Sequence, residues 1–528
     1  MSHKEENVNL VSHSEEGASK RLEFATLLAD SKKYQSVLEL ARKIKSIPIQ
    51  GKSKNIGPQI FLVGGFVRDL FMGRESKDID VEVYGVGLTE LQHFLEQNFL
   101  VTQVKQVGKS FGVFKITTHD GLDLDISIPR TESKIGFGHK DFSIASDPYL
   151  DPAKAAKRRD FTFNSLMLDP LTGEVLDFYG GLSDLEHKLV RAVDVDTFIE
   201  DPLRVWRAIQ FASRFGFVIE VKTYQLLKKM VSQNQLDYLP AERIGAEFTK
   251  LLSKSDKPSV GLKLIKELGI AEKFYPELSQ LEQTLQEINW HPEGNVWTHT
   301  MMAVDVASSL LNLKYKNLDN EQKLIVILGV LCHDLGKSTT TQKIDGQIRS
   351  LGHESAGVEQ VKSLLSKFAY SNEIIKQVQV IVKHHLIPAM LYQQYQRGEI
   401  DDKSYANAVR RFIVKIKPVS WRVMLACTES DARGRGLDDA LTMPYHAGQK
   451  FEELVTQFGL DSDASQQNLI SGKDIIELCH KLKFDLQSGP IYRDLIQQIE
   501  DARDRQEIET KDQAMQLLEK LLVKLQSL

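Results

Sequence analysis

Residues Phe61 to Val83, FLVGGFVRDLFMGRESKDIDVEV, constrain this chain more than any other stretch. Ile60 to Val63 is a short apolar run of strand type. Gly64-Gly65 follows at once, where bare backbone approaches a ligand without a Cβ in the way. Asp69 to Met72 continues with a helix-compatible pattern that ends near Gly73. Lys77 to Val83 then alternates with period two, so Asp78 and Asp80 point to one face and Ile79, Val81 and Val83 to the other. Two carboxylates about 7 Å apart along a strand, beside a glycine turn, suit hard divalent cations held against a polyphosphate. Asp-x-Asp alone reads as a solvated strand edge. Joined to Gly-Gly and Arg68 in so short a window, it reads as a phosphate site.

At 528 residues the chain should form several domains, on a prior of roughly 100–200 residues each. A composition of 42% hydrophobic and 26% charged residues is that of an ordinary globular protein. The formal charge of -5 excludes a chain that is basic throughout, so any nucleic-acid surface must be a local basic patch. Cys332, Cys427 and Cys479 are few, odd in number and far apart, which argues against a disulfide framework and fits a reducing, cytoplasmic setting. The longest apolar run, Leu324 to Cys332, falls well short of the roughly 20 residues a bilayer needs, so no membrane partner is expected. The opening MSHKEENVNLVSHSEEG lacks the apolar core of a signal peptide and reads as a loose tail over 1–20.

The Phe61–Val83 stretch resembles the catalytic signature of the polymerase-β-type nucleotidyltransferases. It is closest to the class II tRNA CCA-adding enzymes and their relatives, the bacterial poly(A) polymerases. Further along, Leu122 to Ile128 alternates as another strand, so Asp123, Asp125 and Ser127 share a face. Asp125 and Arg130 match the family's second motif, in which a strand aspartate completes the carboxylate cluster and an arginine follows. Thr131 to Leu150 is polar, Gly-bearing and without clear periodicity, and resembles the family's flexible loop near the active site. Lys157 to Leu166 resembles the family motif RRDFTINA, with Phe163 and Ser165 departing from it. An arginine pair is a common holder of phosphate oxygens. Asp160 and Asn164, four apart, would share a helix face beneath the nucleotide sugar. Asp177 to Leu185 follows the family too, as a turn entering a helix.

Glu200 to Ile209, EDPLRVWRAI, bears on specificity. Pro202 suits a helix start, Val205, Ile209 and Ala212 should face the core, and Asp201, Arg204 and Arg207 form a polar stripe. Asp only accepts and Arg only donates hydrogen bonds. Cytosine and adenine both place an amino donor beside a ring-nitrogen acceptor; uracil and guanine reverse that order. An Asp–Arg pair therefore accepts C and A without a template. Glu200, Asp201 and Arg204 match the class II motif EDxxR that selects the nucleotide. Glu242 and Arg243, in a further family motif, are expected to brace helices.

A second constellation begins at INWHPEGNVWTHT, residues 288–300. His299, then His333-Asp334, His353, His384-His385 and Asp431 follow in the order H…HD…H…H…D of the HD phosphohydrolases, which they resemble. Imidazole and carboxylate ligands suit divalent metals, and a metal there lowers the pKa of bound water. The resemblance implies that His299, His333, Asp334 and Asp431 hold one metal, and that His353 with either His384 or His385 serves a second. In CCA-adding enzymes of this bacterial type the domain implies phosphatase and cyclic phosphodiesterase activities.

The expected fold is α+β: a polymerase-β-like nucleotidyltransferase head with a small mixed sheet, then an all-α neck and body and a helical HD domain. The expected divisions are a tail at 1–20, a helical extension and linker at 21–55, the head at 56–190, the neck at 191–275, the HD domain at 276–440 and a helical region at 441–528. The implied reaction transfers nucleotides from CTP, then ATP, to a tRNA 3′ end. Asp78 and Asp80, with Asp125, hold Mg²⁺; Gly64, Gly65 and Arg68 cradle phosphates; Arg130, Arg158, Asp160 and Asn164 position the nucleotide; Asp201, Arg204 and Arg207 select the base. The rival readings are a poly(A) polymerase, and a phosphohydrolase whose head only binds RNA.

Overall fold

The computed structural model describes residues 34–48, 57–76, 78–98, 104–107, 113–118, 121–134, 142–436, 441–461, 468–484, 486, 489–504 and 507–526. The described residues fall into two compact units, one reaching Pro276 and including Lys367–Ala369, the other made of Glu277–Ser366 and the residues from Tyr370 onward. The expected tail, residues 21–33 of the expected first helix and most of the expected linker lie outside the described residues. Gln35–Lys45 is helical, with Val37, Leu40, Ala41 and Ile44 buried on one face.

The first unit is built on a seven-stranded mixed sheet. Its spatial order is Val104–Val107, Val113–Thr117, Asp123–Ser127, Asp78–Tyr84, Gln59–Val63, Met167–Leu168, Val175–Leu176. Asp78–Tyr84 and Asp123–Ser127 pair in parallel, which sets Asp78 opposite Asp123 and Asp80 opposite Asp125. The other pairings are antiparallel. Period-two alternation explains the burial: Ile79, Val81, Val83, Leu124 and Ile126 are at most 1% exposed, while the carboxylates between them face outward. Each such apolar side chain contributes about 1.5–3 kcal/mol when fully buried. The helices Gln35–Lys45 and Leu88–Asn98 pack residues into the same core.

At Gly64 the backbone takes φ +70°, a conformation L side chains rarely adopt, and turns the first strand into the helix Gly65–Phe71. Thr131 to Leu150 differs from the sequence expectation of a loop: Arg130–Lys134 pairs antiparallel with Phe142–Ser146. Strand pairing supplies backbone hydrogen bonds without requiring a strong hydrophobic alternation, so the polar sequence hid it. Residues 135–141 lie outside the described residues.

Beyond the sheet, the helix Leu203–Phe215 buries Trp206, Ile209 and Ala212. Phe161, Phe163, Phe211, Phe215 and Phe217 form a chain of edge-on and stacked rings beside it. Val221–Ser232, Ala241–Lys254 and Pro258–Glu267 are further helices of this unit.

Among its described residues the second unit is nearly all helix, with one small hairpin, Gln342–Ile344 against Gln347–Arg349. Val296–Leu313, Asn320–Cys332, His353–Ser366, Asn372–His384 and Trp421–Arg433 surround the histidines. Gly336 stands where a Cβ would come within 2.0 Å of the His353 carbonyl oxygen, so only glycine lets these segments meet. Gly472–Lys481, Pro490–Asp504 and Lys511–Gln526 share a core of Ile475, Leu495, Ile499, Leu518 and Leu522. The helix Gly472–Lys481 opens on a capping box, Ser471 and Asp474 bonding each other's backbone N–H. Among the described residues no helix is long and apolar enough to cross a membrane.

Two candidate active sites

In the first unit the glycine turn, the carboxylate strand and the start of the helix Leu203–Phe215 converge on one cavity of about 480 Å³. It is lined by Gly64, Gly65, Arg68, Asp80, Arg158, Asp160, Asn164, Asp201, Arg204 and Arg207 of the residues singled out from sequence. Asp125 and Arg130 line an adjoining cavity that shares Asp80 and Arg158 with the first.

Asp80 is crowded. Burial pushes its pKa up; Arg159 opposes this, and the carboxylates of Asp125 and Asp78 reinforce it. Lys115, on the neighbouring strand, holds both oxygens of Asp125 at 2.8–2.9 Å. Asp78 and Asp80 on one strand and Asp125 on its parallel neighbour thus share one face of the sheet, with Lys115 and Arg159 as cationic neighbours.

Asp160 organises the cavity floor. Its Oδ1 accepts from Phe161 N at 2.8 Å and Asn164 Nδ2 at 2.9 Å, and its Oδ2 from Arg207 Nε at 2.6 Å. Burial alone would raise its pKa, but Arg207 and Asn164 outweigh that and hold it below the usual range. The shared helix face expected for Asp160 and Asn164 is absent: Thr162–Asn164 is a single 3₁₀ turn, which Asn164 closes through its side chain. Phe161 and Phe163 are buried among other rings there, and this packing favours the tight turn over a continuous helix.

Arg68 is 5% exposed and already engaged, by Asp69 at 2.8 Å and Asn164 at 2.8 Å, with Phe211 and Phe215 against its guanidinium. Asp201 lies before the helix; it accepts from Leu203 N and pairs with Arg243 at 3.2 Å. Arg204 donates to the carbonyls of Thr197 at 2.8 Å and Arg158 at 2.6 Å. Arg158 pairs with Glu200 at 3.2 Å. Asp201 and Arg204 are thus fixed separately, each with an edge on the cavity.

Three further residues stand here beside the expected site set. Arg159 lines both cavities and approaches Gly64; its signal was its place in the arginine pair. Arg243 holds Asp201, and nothing in its own stretch announced that partner. Lys115 sits opposite Asp125 in the sheet register, which only strand pairing reveals.

The second unit gathers His299, His333, Asp334, His353, His385 and Asp431. Donor atoms of His299, His333 and Asp431 form one group, and those of Asp334, His353 and His385 another, each within 4.8 Å. Asp334 therefore belongs with the second group, although it also lies 3.2 Å from His333 Nε2. Of the two adjacent histidines, His385 joins the cluster and His384 does not, because His384 ends the helix Asn372–His384 and His385 caps it. His333, His353 and His385 each donate from Nδ1 to a backbone carbonyl, those of Val330, Ser350 and Val382. That bond fixes the tautomer and leaves Nε2 for the cluster. The Nε2 atoms of His333 and His353 are buried with no hydrogen-bond partner among the described residues. Burial pushes His385 down to about 4, so its ring is neutral. Orphaned ring nitrogens facing carboxylates fit a transition-metal or magnesium-class ion. Lys337 and Glu293, unassigned from sequence, touch the cluster through Asp334 and His299.

Residues 60–191 match the family described as Poly A polymerase head domain, 216–281 the Probable RNA and SrmB- binding site of polymerase A, and 296–411 the HD domain. A Multifunctional CCA protein of Pasteurella multocida is 33% identical over 380 residues, 71% of this chain and 84% of its own. One from Burkholderia ambifaria is 32% identical over 431 residues, 79% of this chain and 95% of its own. Among solved structures, the Bacillus stearothermophilus CCA-adding enzyme in complex with CTP matches with a TM-score of 0.61 at 19% identity, over 94% of this chain and 100% of that one. The Thermotoga maritima CCA-adding enzyme complexed with tRNA gives 0.54 at 18% identity, over 94% and 97%. At such identities the structural likeness is one of fold. Sequence identity above 30% across most of the relatives' length goes further: this chain belongs to the family of multifunctional CCA proteins.

Proposed function

We infer that the chain is a tRNA nucleotidyltransferase that adds C, C and A to tRNA 3′ ends from CTP and ATP, without a nucleic-acid template. The observation that carries this reading is the single cavity bounded by Asp80, by the Asp160–Asn164–Arg207 floor and by the Asp201 and Arg204 edges. Asp78, Asp80 and Asp125 would hold Mg²⁺, which when bound activates the 3′-hydroxyl and steadies the departing pyrophosphate. Gly64 and Gly65 keep the cavity mouth open beside Asp80, and Arg158 and Arg159 face the phosphates. Arg130 lines the adjoining cavity beside Asp125 and would help position the nucleotide. Asp160, itself held by Asn164, fixes Arg207, while Asp201 accepts from the exocyclic amine of C or A and Arg204 donates to the ring nitrogen. Arg68, spent on Asp69 and Asn164, serves by holding the floor rather than by reaching the phosphates.

The proposed division of labour follows the chain: head 56–190, neck 191–275, HD domain 276–440 and a helical region 441–528. The HD residues His299, His333, Asp334, His353, His385 and Asp431 would hold divalent metal and make the second unit a phosphohydrolase. Its buried, partnerless ring nitrogens support that reading.

The test is incubation with Mg²⁺ and tRNA lacking CCA, with CTP, ATP or both, followed by sequencing of the 3′ ends. Growth by CC with CTP and by CCA with both is expected. Arrest at CC with both, or A added only to tRNA ending in CC, restricts the chain to part of the sequence. Long A tails from ATP alone would refute the reading in favour of a poly(A) polymerase.

A further inference from the structure

The four histidines of the HD cluster are not held alike. His333, His353 and His385 rest on neutral backbone carbonyls. His299 rests on a carboxylate: its Nδ1 lies 2.7 Å from Glu293 Oε1. The same oxygen is 2.9 Å from His291 Nδ1. Glu293 has no exposed side-chain surface, and its Oε2 has no hydrogen-bond partner among the described residues. A carboxylate only accepts, so both rings carry their proton on Nδ1. A neutral His299 then turns its Nε2 lone pair toward Asp431 Oδ1, 3.0 Å away. Two acceptors at that distance need a cation between them or a proton on one of them.

The other group has the opposite surroundings. Asp334, its only carboxylate, already has a resident cation: Lys337 Nζ is 2.7 Å from Asp334 Oδ2. Lys337 is itself buried and is held there by Gln286 Oε1 at 2.7 Å. A carboxylate behind a histidine ligand raises its basicity and is a recurrent device for strengthening metal binding. A lysine on a ligand carboxylate must be displaced or repelled before a second cation settles.

From this asymmetry we propose that the cluster is a pair of metal subsites of unequal strength. His299, His333 and Asp431 form the tight one, with Glu293 as the positioning residue behind His299; Asp334, His353 and His385 form the weak one, opposed by Lys337. The proposal rests on reading the cluster as a metal centre. The tight subsite keeps its ion at low free metal, and occupancy of the weak one follows metal supply.

The test is a Co²⁺ titration of the full chain carrying Asp78→Ala and Asp80→Ala, which removes the head's carboxylate pair, read by visible absorption. Two binding steps are expected. Adding Glu293→Gln, which keeps the shape and an acceptor oxygen but removes the charge, should weaken the tighter step by about 10- to 100-fold and leave the weaker step in place. Glu293→Asp, which keeps the charge on a shorter arm, should recover part of that loss. Lys337→Met should tighten the weaker step. Glu293→Gln alone should add nucleotides to tRNA at the wild-type rate, showing that the chain folds. An unmoved tighter step, or movement of the weaker step alone, overturns the role of Glu293. An Asp variant no better than Gln overturns its electrostatic basis, and an unmoved weaker step in Lys337→Met overturns the role of Lys337. No Co²⁺ uptake at all in the starting chain would instead overturn the metal reading of the cluster, and this proposal with it.

Discussion

Asp160→Asn gives a quantitative test of the cavity floor. Both acceptor sides of this carboxylate are used, one by Phe161 N and Asn164 Nδ2, the other by Arg207. An asparagine has one acceptor oxygen, so whichever way it turns, its amide hydrogens meet donors. Breaking a buried ion pair by removing one partner costs about 3–5 kcal/mol. Arg207 keeps a distant second carboxylate, Glu247 at 3.9 Å, and is 32% exposed, which places the loss at the lower end. We take about 3 kcal/mol, or roughly 150-fold in an opening equilibrium at 1.4 kcal/mol per decade. Amide hydrogen exchange over Leu203–Phe215, the helix that carries Arg207, reads this directly. CTP affinity should fall with it. The folded pKa of Asp160 is depressed, so its stabilisation is complete above the free aspartate value of about 3.9 and fades as pH drops below that. A loss of protection under about fivefold, near 1 kcal/mol, would refute the view that Asp160 holds the floor.

Three other outcomes are expected. Gly64→Ala puts a Cβ 3.0 Å from both Asp80 Oδ2 and Arg159 Nη1 at a φ of +70°, and should lower the rate of addition by about 100-fold with tRNA affinity retained; a rate within threefold of wild type would contradict it. Arg243→Met releases Asp201 and should raise incorporation of U and G by about tenfold, the worth of one hydrogen bond to a charged group, as read by sequencing 3′ ends made with all four nucleotides. In the C-terminal helices, burial works against the Asp474 carboxylate, but Lys511 and Ser471 outweigh it and hold it at about 2. The stabilisation it gives is therefore full above about pH 4 and lost as pH falls through 2, and Asp474→Asn should flatten the acid limb of the helix signal over that interval.

Much of the carboxylate face was legible in the sequence because strand alternation is a strict rule. Once Ile79, Val81 and Val83 are inside, Asp78 and Asp80 are outside, and the same holds for Asp125. The histidine order was legible from motif spacing, but its grouping was not. Asp334 falls with His353 because the turn at Gly336 lets two segments touch, a contact between residues far apart in sequence. Lys115 and Glu293 escaped, and so did the partner of Arg243, for a similar reason: each contact is supplied only by pairing register or tertiary packing. The Arg130–Lys134 and Phe142–Ser146 pair escaped because its stability lies in backbone hydrogen bonds, which leave a faint trace in composition.

The arginines of the first cavity have one more consequence. Arg68, Arg158, Arg159, Arg204, Arg207 and Arg243 line it, and six carboxylates, Asp69, Asp80, Asp160, Asp201, Glu200 and Glu247, stand in the wall or directly behind it. Their charges balance. The cavity is a lattice of oriented donors with little net field, so it does not draw in anions from a distance. Nucleotide capture should then depend only weakly on ionic strength, with the donors already held in place by their partners before a nucleotide arrives.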